Sequence, residues 1–243
     1  MKAPSSRVGI KYKSEKIRAR RSRILHETRV LLSEVGFEGF TVRALWVRAG
    51  IAQKTLYNAF GSKENVIAAA IREFFVDFDS AIDYHFSASS LDGYLERLAT
   101  TLAKFMEHRA FTAATSILYF SSPNGPIRET MQAMWAESLS PFLAAIEEKN
   151  GFAAGVSADG FVQVLSLTTF AMTTEWCLGA IADDDFIDRI AEASLMVIAG
   201  CSRGQLGADA RRWLADVQQK HAGWIGLRKL AELNAPAAAA LAP

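Results

Sequence analysis

The stretch that decides the fold is TVRALWVRAGIAQKTLYNAF, which spans residues 41–60. It begins with Thr41, a residue type that caps helix N-termini, and Gly50 interrupts the helical spacing of its apolar residues. We therefore predict a short helix at residues 42–49 and a second at about 53–60, crossing steeply around the glycine.

The second of these helices has an apolar edge and a polar edge. Leu56 and Phe60 face the core, so the opposite edge is free for contacts with base edges and phosphates in the major groove of DNA. This favours a DNA-binding helix-turn-helix, although helix–glycine–helix corners also occur in enzymes. The outward residues are Gln53, Lys54, Thr55, Tyr57 and Asn58.

Charge is divided unequally along the chain. Residues 1–72 hold 15 Lys and Arg against 5 Asp and Glu, a net charge of +10, whereas the remaining residues carry a net charge of −9. Such a split favours a polyanionic partner for the first part only, with a solvated basic tail as the alternative.

Helices are predicted throughout the chain. Apolar residues mostly recur every three or four positions and prolines number only 6, which indicates an all-α fold with a three-helix N-terminal domain and a larger helical domain. Pro141 lies inside one predicted helix, so we expect a kink or break near Ser140. The predicted divisions are a disordered basic arm at 1–13, a helix-turn-helix domain at 14–62, a regulatory domain at 63–233 and a disordered tail at 234–243.

The composition favours a cytoplasmic protein. The two cysteines, Cys177 and Cys201, are too few for a disulfide scaffold or a zinc site and fit a reducing compartment. No apolar run follows the basic N-terminus, so no signal peptide is expected. Polar residues interrupt the most apolar stretch, 161–178, which favours a buried helix over a membrane span.

Several short motifs occur together within residues 17–67: LSEVGF at 32–37, TV at 41–42, AGI at 49–51, TLY at 55–57, Phe60, and SKE at 62–64. In combination they resemble the DNA-binding domain of the TetR family of bacterial regulators. The remaining residues resemble the family only in being helical and of suitable length. The resemblance implies a homodimeric regulator that binds double-stranded DNA.

The resemblance also implies a role for each matching residue at the DNA. A helix N-terminus with a lysine beside it is by itself a site for phosphate. The implied DNA-binding residues are Thr41 as helix cap and phosphate contact, Arg43 reaching DNA from the first helix of the motif, Gln53, Lys54 and Thr55 near bases, Tyr57 and Asn58 at backbone or bases, and Lys63 at a phosphate.

Two residues depart from the family pattern. Trp46 stands where the family usually has alanine, so it must swing aside or widen the helix crossing. Ala52 stands where Ser or Thr normally caps the recognition helix, a loss that costs about 1 kcal/mol.

Residues 159–202 are the predicted dimerisation segment. One recognition helix contacts only a few base pairs, so helix-turn-helix proteins bind DNA in pairs. Predicted helices at 159–178 and 183–202 could form a four-helix bundle with their symmetry mates, unless they are buried against their own subunit. The second helix carries a wide stripe of apolar or small residues: Phe186, Ile187, Ile190, Ala193, Ser194, Val197 and Ile198.

Aromatic residues lie on the helices that enclose a ligand cavity in this family, and aromatic walls suit a hydrophobic or aromatic effector. The alternative is that they belong to an ordinary core. Glu175 or His108 could supply a polar anchor. The pocket candidates are Phe74, Phe78, Phe105, Phe120, Trp135 and Trp176, with Phe75 and Phe142 on the same helices.

The predicted function is a homodimeric, sequence-specific repressor that a small hydrophobic or aromatic ligand releases from its operator. The alternatives are a constitutive or architectural DNA-binding protein without a ligand, and an enzyme with a helix-corner motif. The four histidines are scattered, and three acids at 183–185 are more simply helix caps than metal ligands. No catalytic residue, metal, cofactor or membrane partner is expected.

Overall fold

The computed structural model describes residues 6–121 and 125–239, with side chains between residues 15 and 234 of those ranges. Within them every extended element is a helix, which confirms the predicted all-α fold. One isolated β-bridge joins Phe152 to Ser202. The helices are α1 (Ser6–Gly39), α2 (Val42–Arg48), α3 (Gln53–Phe60), α4 (Lys63–Ser80), α5 (Leu91–Glu107), α6 (Arg109–Ser121), α7 (Pro126–Glu148), α8 (Ala158–Cys177), α9 (Asp183–Cys201), α10 (Gly204–Gln218) and α11 (Ala222–Ala239).

Both chain ends are more helical than predicted. Helix α1 begins at Ser6 and α11 continues to Ala239, so the predicted disordered arm (1–13) is wrong for residues 6–13 and the predicted disordered tail (234–243) for residues 234–239. Lysine, arginine and alanine are strong helix formers, which lets a helix extend beyond its packed portion without an apolar stripe. The other residues of both predictions lie outside the described ranges.

The turns around the helix-turn-helix follow the predicted local chemistry. Gly36 has φ 63°, a left-handed conformation that kinks the end of α1. Thr41 caps α2 by accepting a hydrogen bond from the Ala44 N–H, and Ser62 caps α4 by accepting one from Asn65 N–H, both at 3.1 Å. These caps set where α2 and α4 begin.

Helix α7 continues through Pro141, so the predicted break near Ser140 is wrong. Proline has no N–H to donate to the carbonyl four residues earlier, which is that of Glu137. The Ser140 hydroxyl donates to that carbonyl instead, at 2.9 Å. The acceptor that proline leaves free is therefore satisfied locally.

The apolar residues form two core clusters. One joins α1–α4 to α6 and to parts of α7 and α8, and the other joins α5 and α7 to α8–α11. Phe111 and Tyr119 of α6 and Phe170 of α8 belong to the first cluster, and α6 packs directly on α1. The predicted boundary at 62/63 is therefore not a boundary in the core.

Ion pairs hold α1 to its neighbours. Arg29 of α1 bonds Glu73 of α4 at 2.9 Å in a largely buried position. Arg48 of α2 bonds both Glu27 and Glu34 of α1, and these two carboxylates raise its pKa above the usual arginine value. Because α1 contacts both α2 and α4, these pairs fix the orientation of the helix-turn-helix on the rest of the chain.

Candidate DNA-binding surface and effector cavity

Helix α3 presents the polar edge that its sequence predicts. Leu56 and Phe60 are buried in the first core cluster. The tyrosine on the opposite side, Tyr57, is 44% exposed. Of the other outward residues, Gln53, Lys54 and Asn58 are exposed and Thr55 is half-buried.

The two arginines of α2 have different surroundings. Arg43 is exposed and forms no ion pair with any residue that the structure describes, whereas Arg48 is bound to α1. Thr41, at the cap, is exposed beside Arg43. The part of α2 available to a phosphate backbone is therefore its N-terminal end, which is also the positive end of the helix dipole.

Lys63 is already engaged within the chain. Its ammonium donates to the Phe37 carbonyl at 3.0 Å and lies 3.9 Å from the centre of the Phe37 ring. It thereby joins the end of α1 to the start of α4. A phosphate contact, as the resemblance implies, would have to use another of the three ammonium protons.

Sequence reasoning left one cation out of the candidate site. The guanidinium of Arg21 in α1 lies 4.8 Å from the centre of the Phe60 ring, at the end of α3. Arg20 and Arg23 are exposed on the same helix. The clustering of arginines early in α1 was visible in the sequence, but their position beside α3 depends on how α1 packs.

Both departures from the family pattern are visible in the structure. Trp46 is half-buried on α2. Ala52 has the extended backbone of an N-cap, with φ −74° and ψ 146°, but no side chain to accept a hydrogen bond from the first turn of α3.

Restoring that cap should stabilise the protein. We expect Ala52→Ser to raise the free energy of unfolding by about 0.5–1 kcal/mol, because a serine there can accept a bond from a free N–H of α3. Urea denaturation measures the change. Thr41→Ala is the matched control and should lower stability by about 1 kcal/mol, since it removes a cap that is present. A destabilised Ala52→Ser variant would contradict the cap geometry.

A cavity of about 300 Å³ lies between α4, α5, α7 and α8. Its walls are mainly aromatic side chains and methionines. Of the predicted pocket residues, Phe78, Phe105 and Trp135 line it. The sequence analysis also named Phe75 on these helices but missed three apolar lining residues that look like ordinary core: Met131, Met134 and Phe170.

The other pocket candidates lie elsewhere. Phe74 packs edge-on against Phe111, with ring centres 5.3 Å apart, and Phe120 is 42% exposed on the surface. Trp176 is fully buried against Phe186 and donates from Nε1 to Asp183 at 2.8 Å.

The two proposed polar anchors do not line the cavity. Glu175 is exposed. His108 lies against Phe74, and burial together with Lys104 lowers the pKa of its imidazole below the usual value.

The apolar stripe predicted for dimerisation is mostly covered by the chain itself. Helix α9 packs against α8, α10 and α5, which bury five members of the stripe. What stays exposed on α8 and α9 is a narrower apolar surface within residues 159–202. The buried members are Phe186, Ile187, Ile190, Ser194 and Ile198, and the exposed surface comprises Val164, Ala171, Leu178, Met196 and Gly200.

No helix in the described part of the chain combines the length and the apolar character that crossing a membrane requires. Among those same residues, no group of three or more His, Cys, Asp or Glu side chains is arranged to hold a metal ion.

Residues 24–70 match the family of bacterial regulatory proteins, tetR family. The curated HTH-type transcriptional repressor KstR of Mycolicibacterium smegmatis is 39% identical over 70 residues, which are 29% of this chain and 34% of that protein. KstR of Mycobacterium tuberculosis is also 39% identical over 70 residues, 32% of its length. The chain thus matches about a third of the length of these curated relatives.

Solved structures extend the similarity to the overall fold. A TetR transcriptional regulator from Rhodococcus sp. RHA1 has a TM-score of 0.56 at 17% identity, over 75% of this chain and 97% of that one. FadR from Bacillus subtilis, in complex with stearoyl-CoA, has a TM-score of 0.56 at 16% identity, over 74% and 98%. The predicted resemblance is confirmed: the N-terminal helices belong to the tetR family, and the larger helical domain has the fold of its solved members.

Proposed function

We propose that this chain is a transcriptional repressor that acts in the cytoplasm, binds its operator as a homodimer and leaves it when a small apolar effector enters the cavity between α4, α5, α7 and α8. The observation that carries the proposal is the exposed polar edge of α3. That edge lies on a helix whose other side is anchored in the core, so the fold holds it in place for DNA. The repressor relatives match this same segment of the chain.

The proposed DNA contacts divide into two kinds. Gln53, Lys54 and Thr55 would enter the major groove first, at the N-terminal end of α3, with Tyr57 and Asn58 behind them. Thr41, Arg43 and Lys63 would contact phosphates on either side and set the position of α3 in the groove.

Two copies would meet through the exposed surface of α8 and α9. Val164, Ala171 and Leu178 recur every seven residues and share one side of α8. On α9, Met196 and Gly200 are spaced by four and lie on one side as well. An exposed apolar surface of this kind marks a site of association, and a two-fold axis there would hold two recognition helices at a fixed spacing.

Helix α4 would couple the effector to the DNA. It starts two residues after Phe60, the end of α3, and its far end lines the cavity with Phe75 and Phe78. Its 18 residues span about 27 Å. An effector that binds only one orientation of α4 shifts the population of the dimer towards that orientation and changes the spacing of the two recognition helices. The stearoyl-CoA bound to FadR supports a ligand-responsive role for this fold.

A gel-shift assay tests the proposal. Purified full-length protein should retard the DNA upstream of its own and neighbouring genes at least about a thousandfold more tightly than shuffled DNA at physiological salt. The mass of the free protein, from light scattering, should be that of a dimer. Equal affinity for shuffled DNA would instead indicate an architectural binder that uses charge alone. A monomer, or the absence of any shift, would contradict the proposal.

A further inference from the structure

A second, smaller chamber adjoins the large cavity. It has a volume of about 30 Å³ and lies between α5 and α7. Thr101, Trp135 and Ser138 line both spaces, so the two meet at these side chains. Beyond them the small chamber is bounded by Arg97, one turn before Thr101 on α5.

Two buried hydrogen-bond donors at this chamber have no acceptor among the described residues. They are Nε of Arg97 and Nε1 of Trp135, which come from α5 and α7. Leaving a buried donor unpaired costs about 1–3 kcal/mol, and native proteins keep few such atoms. Tyr94 also lines the chamber, but its hydroxyl lies near Ser194 of α9 and is not counted with them. The unmet demand at the chamber is therefore for an acceptor.

Charge at the rim of the large cavity is already balanced. Asp79 accepts a hydrogen bond from the Tyr84 hydroxyl at 2.9 Å and has an Arg97 nitrogen at 3.7 Å. Glu137 accepts two bonds from Arg72, at 2.9 and 3.1 Å. Neither carboxylate is left to attract a cation, whereas the donors inside the chamber have nothing to bond.

The size of the chamber limits what the acceptor can be. A water needs roughly 10–15 Å³ of such space, so the chamber holds about two water-sized groups. The two oxygens of a carboxylate fit that space, and a carboxylate is an acceptor-only group that pairs readily with arginine. A phosphate ester or a nucleotide is too large for it.

We propose that this cavity takes a small apolar carboxylic acid, with its carboxylate in the chamber against Arg97 and Trp135 and its hydrocarbon body in the large cavity. The hydrocarbon then lies among Phe75, Phe105 and Met134. The inference names the class of effector and so rests on the proposed function for its biological role. The binding site itself can be tested without DNA.

Calorimetric titration of the free, full-length protein provides the test, with decanoic acid, decan-1-ol and decyltrimethylammonium as probes. These share a hydrocarbon chain and differ in the head group. Decanoic acid should bind about tenfold to a hundredfold more tightly than decan-1-ol, the gain expected for hydrogen bonds to a charged group. The ammonium compound should bind most weakly.

Variants assign the preference to the chamber. Arg97→Gln should reduce the difference between acid and alcohol to about threefold or less, and Trp135→Phe, which keeps the ring and removes the N–H, should reduce it in part. Arg211→Gln, an exposed arginine on α10, is the matched control and should keep the full preference. Because Trp135→Phe preserves packing, it remains informative if Arg97→Gln fails to fold.

The outcomes separate this inference from the proposed function. Equal binding of acid and alcohol, tighter binding of the ammonium compound, binding of no probe, or an unchanged preference in both variants would overturn the carboxylate site. The gel-shift assay is independent of all these results. A protein that prefers the acid but binds no operator would retain the site and lose the proposed function.

Discussion

The double variant Lys54→Ala, Tyr57→Ala should bind operator DNA about a hundredfold more weakly than the unchanged protein. Both side chains are exposed on α3, so their removal leaves the buried Leu56 and Phe60 in place. A contact to a base or phosphate contributes about 1–3 kcal/mol, and two contacts in each half of a dimer reach the stated loss. Quantitative gel shift at fixed salt measures the change.

Salt dependence gives this prediction a second measurement. Loss of the Lys54 ammonium should lower the slope of log affinity against log salt by about 1 for each phosphate contact removed. Lys229→Ala, at an exposed lysine of α11, is the control and should change neither quantity. A folded, dimeric double variant with undiminished operator affinity would rule out α3 as the recognition helix.

The second large effect is expected at Asp188, which should cost about 3–5 kcal/mol of stability when it is replaced by alanine. Its side chain on α9 accepts a bond from Trp224 Nε1 at 2.9 Å and one from Arg228 at 3.0 Å. The residue is only 6% exposed. Asp188→Ala would leave a buried N–H and a partly buried guanidinium without their acceptor, and α11 would lose its main polar attachment to α9.

Urea denaturation monitored by circular dichroism measures this loss. Asp184→Ala is the control, because Asp184 is exposed in the first turn of the same helix and should cost no more than about 1 kcal/mol. Asp188→Asn keeps an acceptor for Trp224 without the charge and should fall between the two. A loss below 1 kcal/mol for Asp188→Ala would show that apolar packing alone holds α11.

Features set by a few neighbouring residues could be predicted from the sequence. Thr41 and Gly50 were sufficient to place α2 and α3, because caps and left-handed turns depend on local backbone chemistry. The exposure of Lys54 and Tyr57 followed in the same way, since Leu56 and Phe60 fix which side of α3 is buried. The candidate DNA surface was thus largely readable from twenty residues.

Features that depend on distant residues could not be predicted in this way. The hydroxyl of Ser140 completes α7 at Pro141, which a rule for proline alone does not include. Lys63 was assigned to phosphate, but its engagement with Phe37 requires the end of α1 to lie beside α4. The sequence of α9 shows a stripe to be covered but not which element covers it, and here that element is largely α10.

The cavity shows the same limit. Aromatic residues that line it and aromatic residues of the core have the same helical spacing, so Phe78 and Phe74 could not be told apart in the sequence. The distinction depends on where four helices leave a gap. Arg97 attracted no attention, because its unpaired nitrogen is apparent only when α5 and α7 face each other.

The contact of α1 with α6 limits how this protein can be divided. Phe111 and Leu118 of α6 share a core with Ile24 and Leu25 of α1. A chimera that grafts residues 1–80 onto the larger domain of another regulator would therefore join two surfaces that do not match, and both would expose oily side chains to water. Portable versions of this DNA reader will have to carry α6 with them, or a redesigned surface in its place.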